Sequence, residues 1–366
     1  MINRIYPSND TTIYENSSSR LQNVSNDEIL EIRKLYDTTN TDIFLGNSRI
    51  LIKFDLSSIS ESISNNTISG SSIKHCLKMV STNEVEIPTT YTLEFYPISQ
   101  SWSDGIGRFY DNPINKNDVS WFNRQTNVSW SLAAGNSHFF YRTNYGGGNW
   151  FTSSINNTAY SQSFTRKVSD INIDITQYVN DILSGSRPNN GFMIKLPETD
   201  ESSSIFKLGS AKYFSSNTNT IYSPVLETKW NNTTFITASL GQLNTSDIIV
   251  YLPKLKSQYV NESKERIRVY GRERYPQRTF SNSGLLSTIK YLPSSSYWSL
   301  RDGESKYVII PFDTTYTKLS CDGDGNYFDF WFDTLQPERY YEFMIRIDEG
   351  GNKQYYSDSF YFKLVR

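Results

Sequence analysis

Along this chain, short segments recur in which apolar and polar side chains alternate. Between residues 90 and 98, Tyr91, Leu93 and Phe95 alternate with polar neighbours, which is the two-residue period of a β-strand with one buried face. Residues 49–54 are more uniformly apolar and predict a core strand. The strands predicted in the first part of the chain cover residues 2–14, 49–54, 73–80, 90–98, 168–173, 191–196, 207–214 and 223–230.

Two segments depart from this period. Residues 174–185 have helical spacing, with apolar residues at positions 175, 178, 179 and 182 on one face. Asp174 is placed to cap the start of this helix and Gly185 to end it. Residues 29–35 fit either a strand or a helical turn. Residues 99–148 contain few strand signals, and such long loops usually form functional surfaces.

The run Asn231-Asn-Thr-Thr is the best candidate for a domain boundary. A second series of short strands follows it, with the spacing of a smaller sandwich. These strands are predicted at residues 248–252, 267–270, 307–311, 328–332, 341–347 and 359–364. Residues 335–341 have the form of a tyrosine corner, in which Tyr340 or Tyr341 would hold the corner by its hydroxyl. We therefore expect domains at 1–231 and 232–366.

Composition agrees with an all-β chain long enough for more than one domain. Of the 366 residues, 15% are aromatic, with 26 Tyr and 21 Phe, and these side chains favour sheets. The net charge of −2 provides no global attraction for nucleic acid or an acidic membrane. Two His and two Cys are too few for a typical zinc site. Cys76 and Cys321 are expected to be buried free thiols, and no apolar run has the length of a membrane span.

Several motifs resemble the DNRLRE-type jelly-roll domains. They are Asp10-Thr-Thr-Ile, Arg49-Ile-Leu-Ile-Lys-Phe-Asp-Leu-Ser-Ser-Ile, Tyr96-Pro-Ile-Ser-Gln-Ser-Trp-Ser-Asp-Gly, Val119-Ser-Trp-Phe-Asn-Arg-Gln, and the helix at 174–185 followed by Pro188-Asn-Asn-Gly. The likeness covers about residues 3–231. It implies an N-terminal jelly-roll β-sandwich with one short helix, used for attachment and assembly without catalysis. The smaller C-terminal sandwich is expected to be of the immunoglobulin or fibronectin-III type.

Other segments resemble virion structural proteins of tailed bacteriophages. They include Leu208-Gly-Ser-Ala-Lys-Tyr-Phe, Arg268-Val-Tyr-Gly-Arg-Glu-Arg-Tyr-Pro-Gln and Gly325-Asn-Tyr-Phe-Asp-Phe-Trp. The chain begins without the signal peptide of the bacterial surface proteins that share the jelly roll. We therefore expect assembly in the host cytoplasm into the virion, in multiple copies at the neck, tail or fibre attachment region. The partners would be other virion proteins or copies of this chain in a ring, and no cofactor, metal, membrane or nucleic acid is expected.

Aromatic residues in the long loops are the first candidates for contacts. Trp102 and Trp121 lie in the family motifs and are expected to anchor loops onto the sandwich. Trp130 and Trp150 lie beside glycines and polar residues, and tryptophan suits interfaces. The expected partner-contact residues are Trp130, Tyr145, Trp150, Arg272 and Tyr275. The alternative function is a carbohydrate-binding module that recognises host surface glycans through Trp130, Trp150 and neighbouring Tyr.

Three further clusters have simple structural explanations. Asp104, Asp111 and Asp118 could serve as catalytic carboxylates, but solvated loop carboxylates are the usual case. The segment 322–326, Asp-Gly-Asp-Gly-Asn, has the alternating oxygens that begin a calcium loop, and a tight hairpin explains it as well. The basic residues of 264–274 could contact a protein or nucleic acid, but we favour an edge strand protected by its charge. The Gly146-Gly-Gly run lacks the helix and Lys-Ser/Thr of a phosphate-binding loop.

Overall fold

The computed structural model describes residues 1–36, 44–69, 72–82, 84–131, 146–151, 160–165, 169–243, 247–276, 289–357 and 360–366. Strands make up 46% of the structure and helices 8%, so the predicted all-β class is confirmed. The finer assignments, a jelly roll followed by an immunoglobulin-like sandwich, stay predictions.

Backbone contacts divide the chain into two compact units. The N-terminal unit comprises Ile5–Asn65 and Lys74–Glu227, and the C-terminal unit comprises Met1–Arg4, Asn66–Ile73 and Thr228–Arg366. The division at Glu227 lies close to the boundary expected at residue 231. The sequence did not predict that two short upstream segments group with the C-terminal unit, because their partners are distant in the chain.

The strands and helices up to residue 229 are short. They are β1 (Ile2–Ile5), β2 (Pro7–Tyr14), β3 (Ile29–Tyr36), β4 (Phe44–Phe54), α1 (Ser57–Ser64), β5 (Lys74–Met79), β6 (Thr90–Pro97), β7 (Asn123–Gln125), β8 (Val128–Ser129), β9 (Tyr160–Thr165), β10 (Ile171–Asp174), α2 (Thr176–Leu183), β11 (Phe192–Lys195), α3 (Glu198–Ser202), β12 (Leu208–Phe214) and β13 (Val225–Lys229).

The main sheet of the N-terminal unit is seven-stranded. Its order is β12-β3-β4-β11-β6-β9, and β2 also pairs with β4. In the same unit β5 pairs antiparallel with β10, and β7 and β8 form a small ribbon. The long strand β4 bonds to three partners because its apolar run is buried along most of its length. The predicted core strand at 49–54 therefore lies at the centre of the unit.

Local signals account for most of these elements. The ambiguous segment 29–35 is strand β3, with alternating burial. Helix α2 forms within the predicted range, but its N-cap is Ile175, so the expectation that Asp174 caps it is wrong. Asp174 lies one residue earlier and accepts the backbone N–H of Thr176 at 3.0 Å. Gly185 follows the helix at φ 75°, a left-handed conformation that glycine adopts without strain. Helix α3 was not predicted, since its polar residues carry no apolar stripe.

The C-terminal unit contains strands and a single turn of 3-10 helix at Phe332–Thr334. The strands are β14 (Gly241–Gln242), β15 (Ile248–Tyr251), β16 (Gln258–Val260), β17 (Lys264–Glu273), β18 (Lys290–Tyr291), β19 (Ser296–Asp302), β20 (Val308–Ile310), β21 (Ser320–Asp322), β22 (Gly325–Trp331), β23 (Arg339–Glu349), β24 (Asn352–Tyr356) and β25 (Tyr361–Val365).

Two six-stranded sheets share one aromatic core in this unit. The first has the order β14-β18-β17-β22-β21 with β15 beside β17, and the second β16-β25-β23-β19-β20 with β24 beside β23. Trp298 of β19 stacks on Phe328 of β22 with ring centroids 4.8 Å apart, and Phe343 of β23 packs against both. Inward rings from both sheets thus fill the core, as the period-two pattern requires.

Both cysteines are free thiols, as predicted. Cys321 is buried, and burial raises the pKa of its thiol to about 11. Cys76 is only half-buried, so the expectation of burial holds for one of the two.

A tyrosine corner is present at the start of β23. The hydroxyl of Tyr341 donates to the carbonyl oxygen of Gln336 at 2.6 Å, and its ring is 1% exposed. The other candidate, Tyr340, is 54% exposed. The corner predicted from Leu335-Gln-Pro-Glu-Arg-Tyr-Tyr is therefore confirmed, and Tyr341 is the residue that makes it.

We predict that Tyr341→Phe lowers the free energy of unfolding by about 1 kcal/mol, because it removes the hydrogen bond that the buried Tyr341 side chain makes to the carbonyl oxygen of Gln336. Urea denaturation measures the change. The neighbouring Tyr340→Phe is the matched control and should change stability by less than about 0.5 kcal/mol. Equal effects of the two substitutions would contradict the assignment.

Candidate functional site

Four tryptophans of the long loops pack together against the main sheet. This tryptophan cluster consists of Trp102, Trp121, Trp130 and Trp150 with Ile13, Leu51, Ile98, Val119 and Met193. Trp102 Nε1 donates to the carbonyl of Asn190 at 2.8 Å. The expectation that Trp102 and Trp121 anchor loops onto the sandwich is thus confirmed.

Trp130 and Trp150 belong to the same cluster and are each 5% exposed. The indole N–H of Trp130 donates to the carbonyl of Ser120 at 3.0 Å, so its polar atom also has a partner inside the unit. This burial corrects the expectation that both rings are presented to a partner chain. Their glycine and polar neighbours suggested exposure, but the loops fold back over the sheet.

A buried ion network lies beside the tryptophan cluster. The Arg49 guanidinium of β4 makes two bonds to the Glu201 carboxylate of α3, at 2.9 and 2.7 Å. Lys195 Nζ lies 3.4 Å from the same carboxylate. The Arg49 guanidinium also lies 4.8 Å from the Trp121 ring centroid and 5.0 Å from that of Trp150, close enough for cation–π attraction. We call Arg49, Lys195 and Glu201 the Arg49 network.

Burial and the neighbouring charges shift the pKa values of Glu201 and Lys195 in this network. Burial alone would raise the pKa of Glu201, but Arg49 and Lys195 outweigh burial and lower it. The pKa of Lys195 is also lowered, by burial first and by repulsion from Arg49, against the attraction of Glu201. Glu201 is therefore an anion held chiefly by Arg49, since the guanidinium binds it through two bonds.

The glycine run is part of the same arrangement. Arg49 Nη1 donates to the carbonyl of Gly147. Gly147 has φ 85°, and a Cβ at this position would lie 2.6 Å from Arg49 Nη1. Glycine is needed here for close approach of the loop to the guanidinium, which explains a feature that the sequence left without a function.

The remaining predicted contact residues lie elsewhere. Tyr145 is outside the described residues. Arg272 and Tyr275, in and just after β17 of the C-terminal unit, are both exposed, and Tyr275 has 81% of its surface accessible. These two side chains are placed where a partner could reach them.

The basic stretch lies on β17, whose residues 264–269 pair with β22 and whose residues 270–273 pair with β15. Gly271 pairs with both Val250 of β15 and Lys290 of β18, so these two strands lie on opposite sides of β17. The expectation of an edge strand is therefore wrong for this part of β17. Arg266 and Arg268 share a face, as predicted, and both approach Asp322, at 3.5 and 2.5 Å. Asp322 lies in the β21–β22 hairpin, so the Asp-Gly-Asp-Gly segment forms the turn. Its carboxylate serves as partner for the arginines.

One of the three loop aspartates, Asp104, is half-buried. Burial raises its pKa, against hydrogen bonds from Ser25 and Asn9. A deeper carboxylate is Asp10 of the first family motif, which accepts the Ser216 N–H at 2.7 Å and the Ser216 hydroxyl at 2.6 Å. Burial raises the pKa of Asp10 to about 6, and the charge of Asp104 adds to the shift. Asp10 fastens the loop after β12 to β2.

The described part of the N-terminal unit contains a cleft of about 650 Å³. Its floor is the outer face of β3 and β12, where Glu31 and Lys212 lie opposite each other in the register. Tyr14, at the end of β2, donates to Glu31 at 3.2 Å. We call it the Tyr110 cleft; it is lined by Tyr14, Asn26, Asp27, Glu28, Ile29, Glu31, Arg33, Arg108, Phe109, Tyr110, Asp111 and Lys212.

Aromatic rings form one wall of the Tyr110 cleft. Tyr14, Phe109 and Tyr110 make a chain of edge-to-face contacts, each with centroids 5.3 Å apart. The Arg33 guanidinium lies 4.4 Å from the Tyr14 centroid and 3.2 Å from Glu31. Tyr110 ends this series at the rim and is 92% exposed. The rings of this wall therefore run from Tyr14, which is buried, to Tyr110, which is exposed at the rim.

Hydrogen bonds fasten the loop that carries Phe109 and Tyr110. Asp27 accepts the Phe109 N–H at 3.1 Å, and the Gln22 amide donates to the Phe109 carbonyl at 2.8 Å. Asn23 accepts the Gly107 N–H at 2.9 Å. Burial raises the pKa of Asp27, and its bond to Phe109 and the charge of Arg108 oppose this shift. The exposed ring is therefore held by a braced loop.

Sequence reasoning missed the Tyr110 cleft. Its residues come from four separate segments, and Arg108-Phe-Tyr-Asp has no recognisable motif spacing. The available signal was the alternation of Ile29, Glu31 and Arg33, which places polar side chains on one face of β3. That signal was hidden by the ambiguity between strand and helix.

No group of three or more His, Cys, Asp or Glu side chains is placed to hold a metal ion among the residues described. The helices in that same part of the chain fall short of the length and apolar character that a membrane span requires.

Comparisons with known proteins give little. No protein-family model and no curated protein matches this chain. Among solved structures, β-glucuronidase 3 of Bacteroides uniformis is 8% identical over 87% of this chain and 26% of its own, with a TM-score of 0.20. A DUF4785 family protein of Legionella pneumophila is 11% identical over 100% of this chain and 62% of its own, with a TM-score of 0.19. This chain spans about a quarter of the glucuronidase, and likeness this low assigns no function.

We predict that Arg49→Met destabilises the N-terminal unit by roughly 3–5 kcal/mol, because Glu201 would remain buried without its main partner. Hydrogen exchange of peptides from β4, followed by mass spectrometry, reports this unit separately. Arg274→Met is the control, since Arg274 and Asp247 form an exposed pair worth less than about 1 kcal/mol. Unchanged protection of β4 in Arg49→Met would show that the network does not hold the unit.

We predict that stability falls as pH rises from about 4 to 6, because the pKa of Asp10 is raised from 3.8 to about 6 in the folded chain. The protonated form is favoured on folding, so this contribution is present below pH 3.8 and lost above the folded pKa, at a cost of about 3 kcal/mol. Asp10→Asn imitates the protonated form and should remove this slope. Urea denaturation at successive pH values tests it, and parallel profiles for both proteins would contradict it.

Proposed function

We propose that this chain is a non-catalytic structural protein of a tailed-bacteriophage virion, present in multiple copies at the neck, tail or fibre attachment region. The proposal starts from the resemblance of its motifs to jelly-roll and virion proteins. What supports it further is the role of those motif residues: Asp10, Arg49 and Trp102 each tie a loop to the body of the N-terminal unit.

Rigid loops suit an assembly role. A subunit in a symmetric particle must present the same surface in every copy, so loops fixed by buried bonds lose little entropy on association. The four loop tryptophans pack into a buried cluster, and this holds residues 99–131 and 146–151 against the sheet. A binding role through Trp130 and Trp150 is not proposed, because both are buried.

Contacts with neighbouring subunits are proposed to involve Arg272 and Tyr275. Tyr275 is an exposed ring beside two exposed arginines, and aromatic and arginine side chains are enriched where interfaces are strongest. Arg272 lies on β17 next to Gly271, which is paired on both sides, and Tyr275 follows two residues after the end of this strand.

We predict that purified virions contain this chain at a fixed stoichiometry, measured by quantitative mass spectrometry. Arg272→Ala with Tyr275→Ala should reduce incorporation about tenfold or more through lost contacts, while the isolated chain stays folded. Tyr355→Ala, which removes another exposed ring, is the control and should incorporate normally. Absence of the chain from particles would end the proposal, and normal incorporation of the double variant would exclude these two contacts.

A further inference from the structure

We infer that the Tyr110 cleft binds an uncharged pyranose unit of a polysaccharide. This inference does not depend on the proposed virion role, and it concerns residues that the sequence did not indicate. It starts from the exposed ring of Tyr110, which is 92% accessible although it stands at the mouth of a cleft. Tyrosine is enriched at interfaces because its ring is apolar and its hydroxyl polar, and the open Tyr110 ring stands beside a cleft.

The loop geometry makes Tyr110 a fixed platform. Phe109 supports it edge-on at 5.3 Å, and Phe109 is itself held at its backbone N–H by Asp27 and at its carbonyl by Gln22. A ring held in this way loses little conformational freedom when a ligand stacks on it. The C–H face of a pyranose ring is apolar and flat, so it matches an open aromatic face.

The charges around the cleft select an uncharged ligand. Arg33, Arg108 and Lys212 provide cations, and the lining also contains four carboxylates, those of Asp27, Glu28, Glu31 and Asp111. An anionic ligand would meet the carboxylates, and a cationic ligand would meet the basic groups. Hydroxyl groups donate to carboxylates and accept from ammonium and guanidinium groups, so a ligand rich in hydroxyls satisfies both signs at once.

The size and position of the groups agree with this ligand. A volume of about 650 Å³ lies within the usual range for small-ligand clefts and has room for one or two sugar rings. Lys212 and Glu31 face each other across β12 and β3 on the floor, while Tyr110 stands at the rim. A sugar stacked on Tyr110 would therefore direct its hydroxyls towards the charged floor.

The test is titration of the full chain with neutral oligosaccharides, namely maltohexaose, cellohexaose, laminarihexaose and chitohexaose, by calorimetry and by saturation-transfer NMR. We expect at least one to bind, and Tyr110→Ala to weaken binding about tenfold or more through loss of the ring. Tyr110→Phe should bind within about threefold of the original chain, because it keeps the stacking face. Tyr355→Ala removes an exposed ring of the other unit and should bind normally.

Three results would overturn the inference. They are no binding of any of the four sugars at millimolar concentration, binding that Tyr110→Ala leaves unchanged, and tighter binding of an oligogalacturonate or of chitosan hexamer than of every neutral sugar. The charged probes separate stacking with hydroxyl recognition from simple charge attraction. Hydrogen exchange on Tyr110→Ala confirms that the N-terminal unit stays folded. None of these results bears on whether the chain is part of a virion.

Discussion

The bidentate pair between Arg49 and Glu201 is the constraint on which the N-terminal unit depends. It buries two charges at the point where the central strand, helix α3 and the glycine run meet. Such a pair gains little over apolar packing, yet losing one partner is costly because the other stays buried. The surrounding tryptophans exclude water and face the cations. The pair therefore specifies where the loops lie more than it adds stability.

This constraint changes the meaning of the family motifs. Asp10, Arg49 and Trp102 could have been conspicuous because they touch a ligand, but each one bonds to a loop of its own unit. The residues of these motifs hold loops onto the sheet of their own unit. Features that would meet other molecules lie outside the jelly-roll-like motifs, at Tyr110 in one unit and at Tyr275 in the other.

Local patterns predicted what local physics decides. The alternation around Leu93, the helix after Asp174 and the tyrosine corner at Tyr341 are all present, because side-chain period, capping and corner geometry act over a few residues. The burial of Trp130 and Trp150 was not predictable, since it depends on how distant loops close over the sheet. The interior position of β17 was missed for the same reason: charges on one face do not reveal the neighbours along its edges. The Tyr110 cleft needs four segments brought together, which no single window contains.

The bond between Asp10 and Ser216 has a further consequence for synthesis. Its partners are 206 positions apart, and in the main sheet β12 pairs with β3 and β11 with β4 across comparably long stretches of chain. Closing such long loops costs entropy before any contact compensates it, which slows the conformational search. On the ribosome, the first strand of the sheet must wait with its carboxylate and apolar face uncovered until nearly the whole unit has emerged. Nascent chains of this protein are thus exposed to aggregation for most of their elongation.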